Sequence, residues 1–546
     1  MPSHTTSASL LLADVSFAWP DGSVVLDHAS AALGSGRTGL IGANGAGKTM
    51  LLRLLAGELA TTSGSISRSA AVGVLPQHLA RLTETTLAEL LGVRRTIDAL
   101  RAIESGDTSE RHFDAVGDDW DIEARTSAVL DEIGLGRLDL DRPIGGLSGG
   151  ETVLAALAGL RIGGAGIVLL DEPTNNLDRE SRARLSELIL HWRGALIIVS
   201  HDTRLLEAMD ATVELRDARL RVFDGGYSAF RRRIDSEQEA IARALSSAEQ
   251  TLRTEERQRI TAETTLARRA RYARTDYENK RKPKVIMNAR RSEAQVSAGK
   301  LRTETAEKID AARRSVANHE GRLREDERIR IDLPDPDVPA SRRLAEIGDG
   351  ETTLLLQGPE RAALLGRNGI GKTRPLEALV RGCQLPAPLR AIARTDRIGY
   401  LPQRRGGIDP ALSFLDAVRE VAPSVPPGTI RSRLARFLIR GDAVHRRVGA
   451  LSGGERFRLH LARLLLADPP PRLLVLDEPT NDLDVTSVDQ LVEALVVFRG
   501  GILVVSHDEE FLSRLGLDTA VELREGGRLV MVDPPQRPEI GWTAPT

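Results

Sequence analysis

Cysteine occurs once among 546 residues, as Cys383. A single thiol cannot close an intramolecular disulfide, and without a His/Asp setting it is weak ground for nucleophilic catalysis, so a buried small hydrophobe is the expected role. Long apolar runs are also missing: stretches such as Gly194 to Val199 and Leu473 to Leu476 fall far short of the ~20 residues that cross a bilayer. No membrane span is expected. No Lys or Arg precedes Arg37, whereas a secretory leader begins with positive charge, so the expected compartment is the cytoplasm. Lysine is scarce, limited to Lys48, Lys280, Lys282, Lys284, Lys300, Lys308 and Lys372, and arginine supplies all the other positive charge. That bias suggests a GC-rich genome and makes the five lysines between 280 and 308 stand out. An overall charge excess is lacking too. With 75 basic and 77 acidic residues the net charge is −2, which by itself points to no nucleic-acid partner.

What is present is a long chain of globular composition, 41% hydrophobic and 28% charged, leaving little room for extensive disorder. Its length implies two or more cores, and the same string of motifs runs through it twice in the same order. The glycine loop at Gly42 returns at Gly366 (366 − 42 = 324), Leu75-Pro76-Gln77 at Leu401 (401 − 75 = 326), the LSGGE at Leu147 at Leu451 (451 − 147 = 304), and LDEPTN at Leu170 at Leu476 (476 − 170 = 306). SHD at Ser200 returns at Ser506, again 306. The offset falls by 326 − 304 = 22 between the glutamine and LSGGE. The first copy therefore carries about that much extra chain, expected in the polar stretch around Glu104 to Trp120. Short apolar runs (Thr38 to Ile41, Ile167 to Leu170, Leu196 to Val199) suit buried parallel strands, so each copy reads as an α/β domain.

Between the copies, from about residue 236 to 330, Glu, Arg, Ala and Gln dominate, and neither Gly nor Pro occurs before Pro283. Apolar positions Ile234, Ile241, Leu245, Ala248 and Leu252, then Thr305, Ile309, Ala312, Val316, His319 and Leu323, recur at helical spacing and form two narrow seams. An antiparallel helical hairpin follows, with domains expected at 1–235, 236–330 and 331–546. Taken alone, the hairpin could be only a spacer.

Gly42-Ala43-Asn44-Gly45-Ala46-Gly47-Lys48-Thr49 and Gly366-Arg367-Asn368-Gly369-Ile370-Gly371-Lys372-Thr373 are phosphate loops. Glycines let backbone N–H groups close around phosphate at a helix start, the lysine meets the β- and γ-phosphates, and the threonine reaches Mg²⁺. Each loop follows an apolar strand, the context the motif needs. Asp171-Glu172 and Asp477-Glu478 end further apolar runs. The aspartate suits the Mg²⁺ shell, and the glutamate can polarise an attacking water. An acidic pair alone is usually a solvated loop start; two pairs accompanied by phosphate loops are not.

With LSGGE at Leu147 to Glu151 and Leu451 to Glu455 the chain resembles the ATP-binding cassette (ABC) superfamily. The resemblance assigns Gln77 and Gln403 to glutamine loops that join the metal ligands Thr49, Asp171, Thr373 and Asp477. It assigns Asn176-Leu177-Asp178 and Asp482-Leu483-Asp484 to D-loops, and His201 and His507 to the switch histidines beside Glu172 and Glu478. It implies two composite ATP sites. In each, Ser148-Gly149-Gly150 or Ser452-Gly453-Gly454 of one copy would meet the γ-phosphate held by the other, as amides at a helix start can. Trp19 matches the adenine-stacking aromatic, and no aromatic takes that place between Arg330 and Gly366. Arg374-Pro375 and Thr152 also depart from the usual pattern.

Tandem cassettes joined by a charged helical linker resemble the ABC-F class, whose members act on ribosomes and whose first cassette carries an extra arm. From Arg268 to Arg302 twelve basic residues oppose three acids, 12 − 3 = +9. Arg274, Lys280, Arg281, Lys282, Lys284, Arg290 and Arg291 are the expected RNA contacts of this tip. The resemblance is strongest to antibiotic-resistance members from actinomycete-like bacteria. It implies a monomer with intramolecular pairing of its ATPase domains that binds large-subunit rRNA, with P-site tRNA as a further contact, and protects the ribosome. The alternatives are a housekeeping ABC-F translation factor and the ATPase subunit of a drug exporter, for which a basic hairpin has no use.

Overall fold

The computed structural model describes residues 9–34, 36–75, 83–175, 177–278, 284–322, 333–403, 406–481 and 483–535, without the side chains of 269, 270 and 272–298. The chain forms two compact units, Met1–Ser228 with Arg328–Thr546, and Ala229–Glu327. The first unit holds both copies of the repeat.

Each copy is built on a six-stranded sheet. In the first the strand order is Val72–Val74, Ile167–Asp171, Ala195–Val199, Gly36–Ile41, Ala211–Arg216 and Arg219–Asp224; all are parallel except the last. The second repeats it with Ile398–Leu401, Leu473–Asp477, Gly501–Val505, Arg361–Leu365, Thr519–Arg524 and Arg528–Val532. The two strands ending in Asp-Glu are buried on both faces, which is why they read as unbroken apolar runs rather than as an alternation. A three-stranded antiparallel sheet covers each copy: Val24–Leu33, Leu10–Ala18 and Ser63–Arg68 in the first, Thr353–Gln357, Arg343–Gly348 and Arg390–Ala393 in the second. The loop helix Lys48–Ala56 buries Leu51, Leu52, Leu54 and Leu55 between the two sheets.

The extra chain of the first copy is helical. The bridge Thr86↔Pro143 matches Ser413↔Arg447, so the copies agree up to 86/413 and again from 143/447. Inside that bracket the first copy alone inserts the helices Arg94–Glu104 and Glu110–Val116. The insertion begins some ten residues before Glu104 because Ile97, Ala99 and Leu100 are buried and anchor its first helix. Polar composition marked only its outer half. Cys383 corrects the expectation of a buried hydrophobe. It is exposed, two residues past the helix Thr373–Arg381, whose end is turned by Gly382 at φ 70°; the chain has left the core by that point.

The second unit consists of helices Tyr227–Glu278, 52 residues, and Lys284–Glu320, 37 residues. Ala248, Ile309 and Ala312 are buried, and Ile241, Leu245, Leu252, Thr305, Val316 and His319 half-buried. The seams are the packed faces. Glu256 meets Arg313 at 3.3 Å, while Leu266 lines the same groove as Leu301. One residue number rises as the other falls, so the pairing is antiparallel. Leu323 lies outside the described residues.

Candidate functional site

In parallel α/β sheets, chemistry gathers at the carboxyl ends of the strands. Asp171 is opposite Val199, and Val199 opposite Leu40. Glu172, His201 and Gly42 therefore all emerge from one edge, as do Glu478, His507 and Gly366 in the second copy through Asp477↔Val505 and Ala363↔Val504. Gly47 shows why the loop needs glycine: its φ is 101°, and a Cβ there would lie 2.3 Å from Val25 Cγ1. Lys48 Nζ donates to Gly42 O at 2.7 Å and Ala43 O at 3.2 Å, and Lys372 Nζ to Gly366 O at 2.9 Å and Arg367 O at 3.0 Å. Burial pushes both ammonium groups below the ordinary lysine range.

Thr49 Oγ1 donates to Asp171 Oδ2 at 2.7 Å, and the Thr373 hydroxyl likewise meets Asp477. Burial raises the Asp477 carboxyl, and its Oδ2 is buried with no hydrogen-bond partner among the described residues. A hydroxyl beside a carboxylate with a spare buried oxygen fits Mg²⁺, which is usually held by one or two carboxylates together with substrate phosphates. No group of three or more His, Cys, Asp or Glu that could hold a metal occurs among the described residues. Gln403 is exposed two residues past the strand Ile398–Leu401, and Gln77 lies outside the described residues.

Glu172 and Glu478 share an unusual backbone, with φ 48° and 46°, a region costing non-glycine residues about 1–3 kcal/mol and common at functional sites. Their N–H groups hydrogen-bond Val199 O at 2.9 Å and Val505 O at 2.8 Å, which turns the chain off the strand end. His201 Nε2 is 3.0 Å from Glu172 Oε1, and His507 Nε2 is 3.4 Å from Glu478 Oε1. In the second site Lys372 Nζ, 2.8 Å away, is the donor to that same His507 nitrogen. Burial, then Lys372 and Arg182, pushes His507 down to about 4, and burial pushes Glu478 up to about 7 against the pull of Lys372. His507 is thus a neutral imidazole with Nε2 accepting. This explains why Glu478 Oε1 has no donor although the ring is close.

The signature serines cap helices. Ser148 and Ser452 accept from Glu151 N and Glu455 N, and each glutamate returns the bond to the serine N–H, at 2.7 and 2.9 Å. This box leaves the amides of Gly149, Gly150, Gly453 and Gly454 at the helix starts. Thr152 is buried and donates to Ser148 O at 3.0 Å, so it serves its own helix, while its counterpart Arg456 is exposed. Pro375 sits buried in the first helical turn, where its missing N–H costs least.

The copies face one another head to tail. Asn44 N, in the first phosphate loop, donates to Asp484 Oδ2 of the second D-loop at 2.9 Å, and a Cβ on Gly453 would lie 3.9 Å from Asn44 Cβ. Reciprocally, Asp178 lies near His507 and in the field of Arg367. Arg179 and Arg204 reach Glu509, and Thr203 reaches Glu510. Those arginines are 81% and 63% exposed, so each pair contributes ~0–1 kcal/mol. The buried Asp484 carboxylate receiving an amide contributes about 1.5–3 kcal/mol. That one D-loop contact therefore outweighs either exposed ion pair.

Trp19 is 38% exposed on the turn after Leu10–Ala18, edge-on to Phe17 at 5.4 Å. Ala18 pairs with Val24, beside the Val25 that packs on Gly47, so this turn borders the first loop. The matching turn of the second copy is Asp349-Gly350-Glu351-Thr352, held by Asp349 accepting from Glu351 N and Thr352 N; it offers no ring. Of the expected RNA contacts, Lys280, Arg281 and Lys282 lie outside the described residues. Arg274, Lys284, Arg290 and Arg291 lie on the two long helices, their side chains likewise outside them.

The sequence pattern of the family described as ABC transporter matches residues 26–175 and again 351–481. The chain belongs to the ATP-binding cassette family. Its tandem cassettes and its relatives place it in the ABC-F class, and it is an ATPase of that family. It is 32% identical over 548 aligned positions to the tylosin resistance ATP-binding protein TlrC of Streptomyces fradiae, covering 93% of this chain and 96% of that one. It is 29% identical to the "Probable ATP-binding protein YheS" of Escherichia coli K12, over 90% of this chain and 75% of that one. In fold it is similar to an archaeal ribosome recycling factor solved with the archaeal ribosomal stalk protein, at a TM-score of 0.55 and 18% identity, covering 96% of this chain and 90% of that one. No helix among the described residues of this ABC-F protein is long and apolar enough to cross a membrane.

Proposed function

We propose that this ABC-F ATPase binds the ribosome in the cytoplasm as a monomer and confers antibiotic resistance by ribosome protection. The carrying observation is the hairpin between the cassettes, whose tip has net charge +9 in a chain of −2. Phosphate neutralisation by such a segment favours RNA, and the Streptomyces relative is a tylosin resistance protein. Large-subunit rRNA and P-site tRNA are the contacts we assign to the tip.

At each site the loop lysine balances the β- and γ-phosphates, and the loop amides hold them. Glu172 and Glu478 take a proton from the attacking water, and His201 and His507 orient the γ-phosphate. The serine and glycine amides of the opposite LSGGE compensate charge developing there. Trp19 stacks on adenine at the first site. Thr49 and Asp171 with Gln77, and Thr373 and Asp477 with Gln403, would hold Mg²⁺, which would supply compensation for phosphate charge.

The test is cosedimentation of the Glu172→Gln/Glu478→Gln protein with ribosomes in ATP, beside drug susceptibility on expression. ATP-dependent binding with raised drug tolerance is expected. Binding without altered tolerance would assign the protein to housekeeping translation, and no binding would favour the exporter subunit.

A further inference from the structure

The two halves differ at an interface position beside the second site. Asp178 and Asp484 are related by an offset of 306, and the same offset carries Arg182 onto Val488. Val488 is 9% exposed and belongs to the core of its own half. Arg182, on the helix Arg179–Leu190, points across the interface instead. Its Nη1 lies 3.5 Å from His507 O of the second half and 3.6 Å from Asp202 Oδ2, and its Nη2 lies 3.5 Å from Thr174 O.

These contacts are at the outer limit of hydrogen bonding, so charge rather than any single bond carries them, and partial burial strengthens charge. Arg182 is 23% and Asp202 12% exposed. Asp202 and Asp508, again 306 apart, cap the helices Thr203–Glu207 and Glu509–Leu515. The two carboxylates repel across the interface, and Arg182 opposes the effect on Asp508. The guanidinium thus brackets the segment after the first Asp-Glu pair, the first switch and the second switch. Its reach into the site of Lys372, Glu478 and His507 has no equivalent in the first site, where Val488 offers no charge.

We propose that Arg182 is a positioning residue given by the first cassette to the second ATP site, where it holds His507 and makes the two sites unequal. It acts through the His507 backbone, and the proposal rests on the assignment of Glu172 and Glu478 as the two water-activating groups.

The experiment measures single-turnover phosphate release by the full chain in two backgrounds: Glu172→Gln, in which the second site remains, and Glu478→Gln, in which the first remains. Arg182→Met is expected to slow release roughly ten-fold in the Glu172→Gln background, with the ATP concentration at half-maximum changing less than about two-fold, since misplacement acts on the chemical step. In the Glu478→Gln background the rate should stay within about two-fold, and Arg182→Lys should restore most of the rate in the first background. If Arg182→Met does not fold, Arg182→Gln is judged by the same ratio between backgrounds. Equal slowing in both backgrounds, or none in the first, would overturn the proposal while leaving the glutamates in place. Release by the Glu172→Gln/Glu478→Gln protein would overturn the glutamate assignment and this proposal with it.

Discussion

Asp484 performs two tasks with one carboxylate. It caps the helix Val485–Val497 through Ser487 N at 2.8 Å and accepts Asn44 N from the other cassette at 2.9 Å. Those amide bonds, with His201 nearby, hold its carboxyl below the ordinary aspartate range despite burial. Asp484→Ala should cost about 2–5 kcal/mol, a cap and a charged hydrogen bond together. A lowered thermal midpoint and slower turnover at the first site are expected; an unchanged midpoint would show that the D-loop contact contributes nothing. Gly150 offers a second test. A Cβ there would lie 2.0 Å from Ser181 Oγ, so Gly150→Ala should cost about 1–3 kcal/mol by overpacking. Ser181→Gly added to it should recover most of that, a coupling read from the four proteins of the cycle. The duplicated motifs made the chemical residues legible in the sequence, because phosphate binding tolerates few alternatives at those positions. Arg182 was not legible: a single arginine in a polar helix looks like solvated charge until its neighbours across the interface are known.

The elements were legible to differing degrees. Buried parallel strands stand out because both faces are apolar, and the hairpin seams because a narrow stripe recurs at helical spacing. The inserted helices Arg94–Glu104 and Glu110–Val116 were visible only as an offset. Their start was placed late because Ile97, Ala99 and Leu100 resemble ordinary core in a local window. In the hairpin Ile309 is 2% exposed, and truncating it should cost about 2–5 kcal/mol of local stability. Ile309→Ala is therefore expected to speed amide exchange along both long helices without altering basal ATPase. Exchange unchanged in both would mean that the seam does not hold the hairpin.

For the whole molecule, the near-neutral total conceals unlike parts: +9 at the hairpin tip and −2 − 9 = −11 elsewhere. If the tip neutralises RNA phosphates, ribosome affinity should fall steeply with salt. Neutralising Lys280, Arg281, Lys282 and Lys284 together should flatten that dependence by about 0.7–0.9 in logarithmic slope for each phosphate that the tip ceases to neutralise. A slope unchanged by those substitutions would remove the tip from the interface. Motif order and spacing by themselves determined that the cassette occurs twice, which residues make up each candidate nucleotide site and what lies between the copies, since such patterns are set by local backbone demands and survive in one dimension. That the first phosphate loop meets the second D-loop through Asn44 and Asp484 was visible only in three dimensions. So were the left-handed backbone of Glu172 and Glu478, the neutral His507 and the one-sided placement of Arg182, because each depends on burial and on groups distant in the chain, Val199 and Val505 for the glutamates, Lys372 for His507 and His507 for Arg182, quantities that no local stretch of sequence contains.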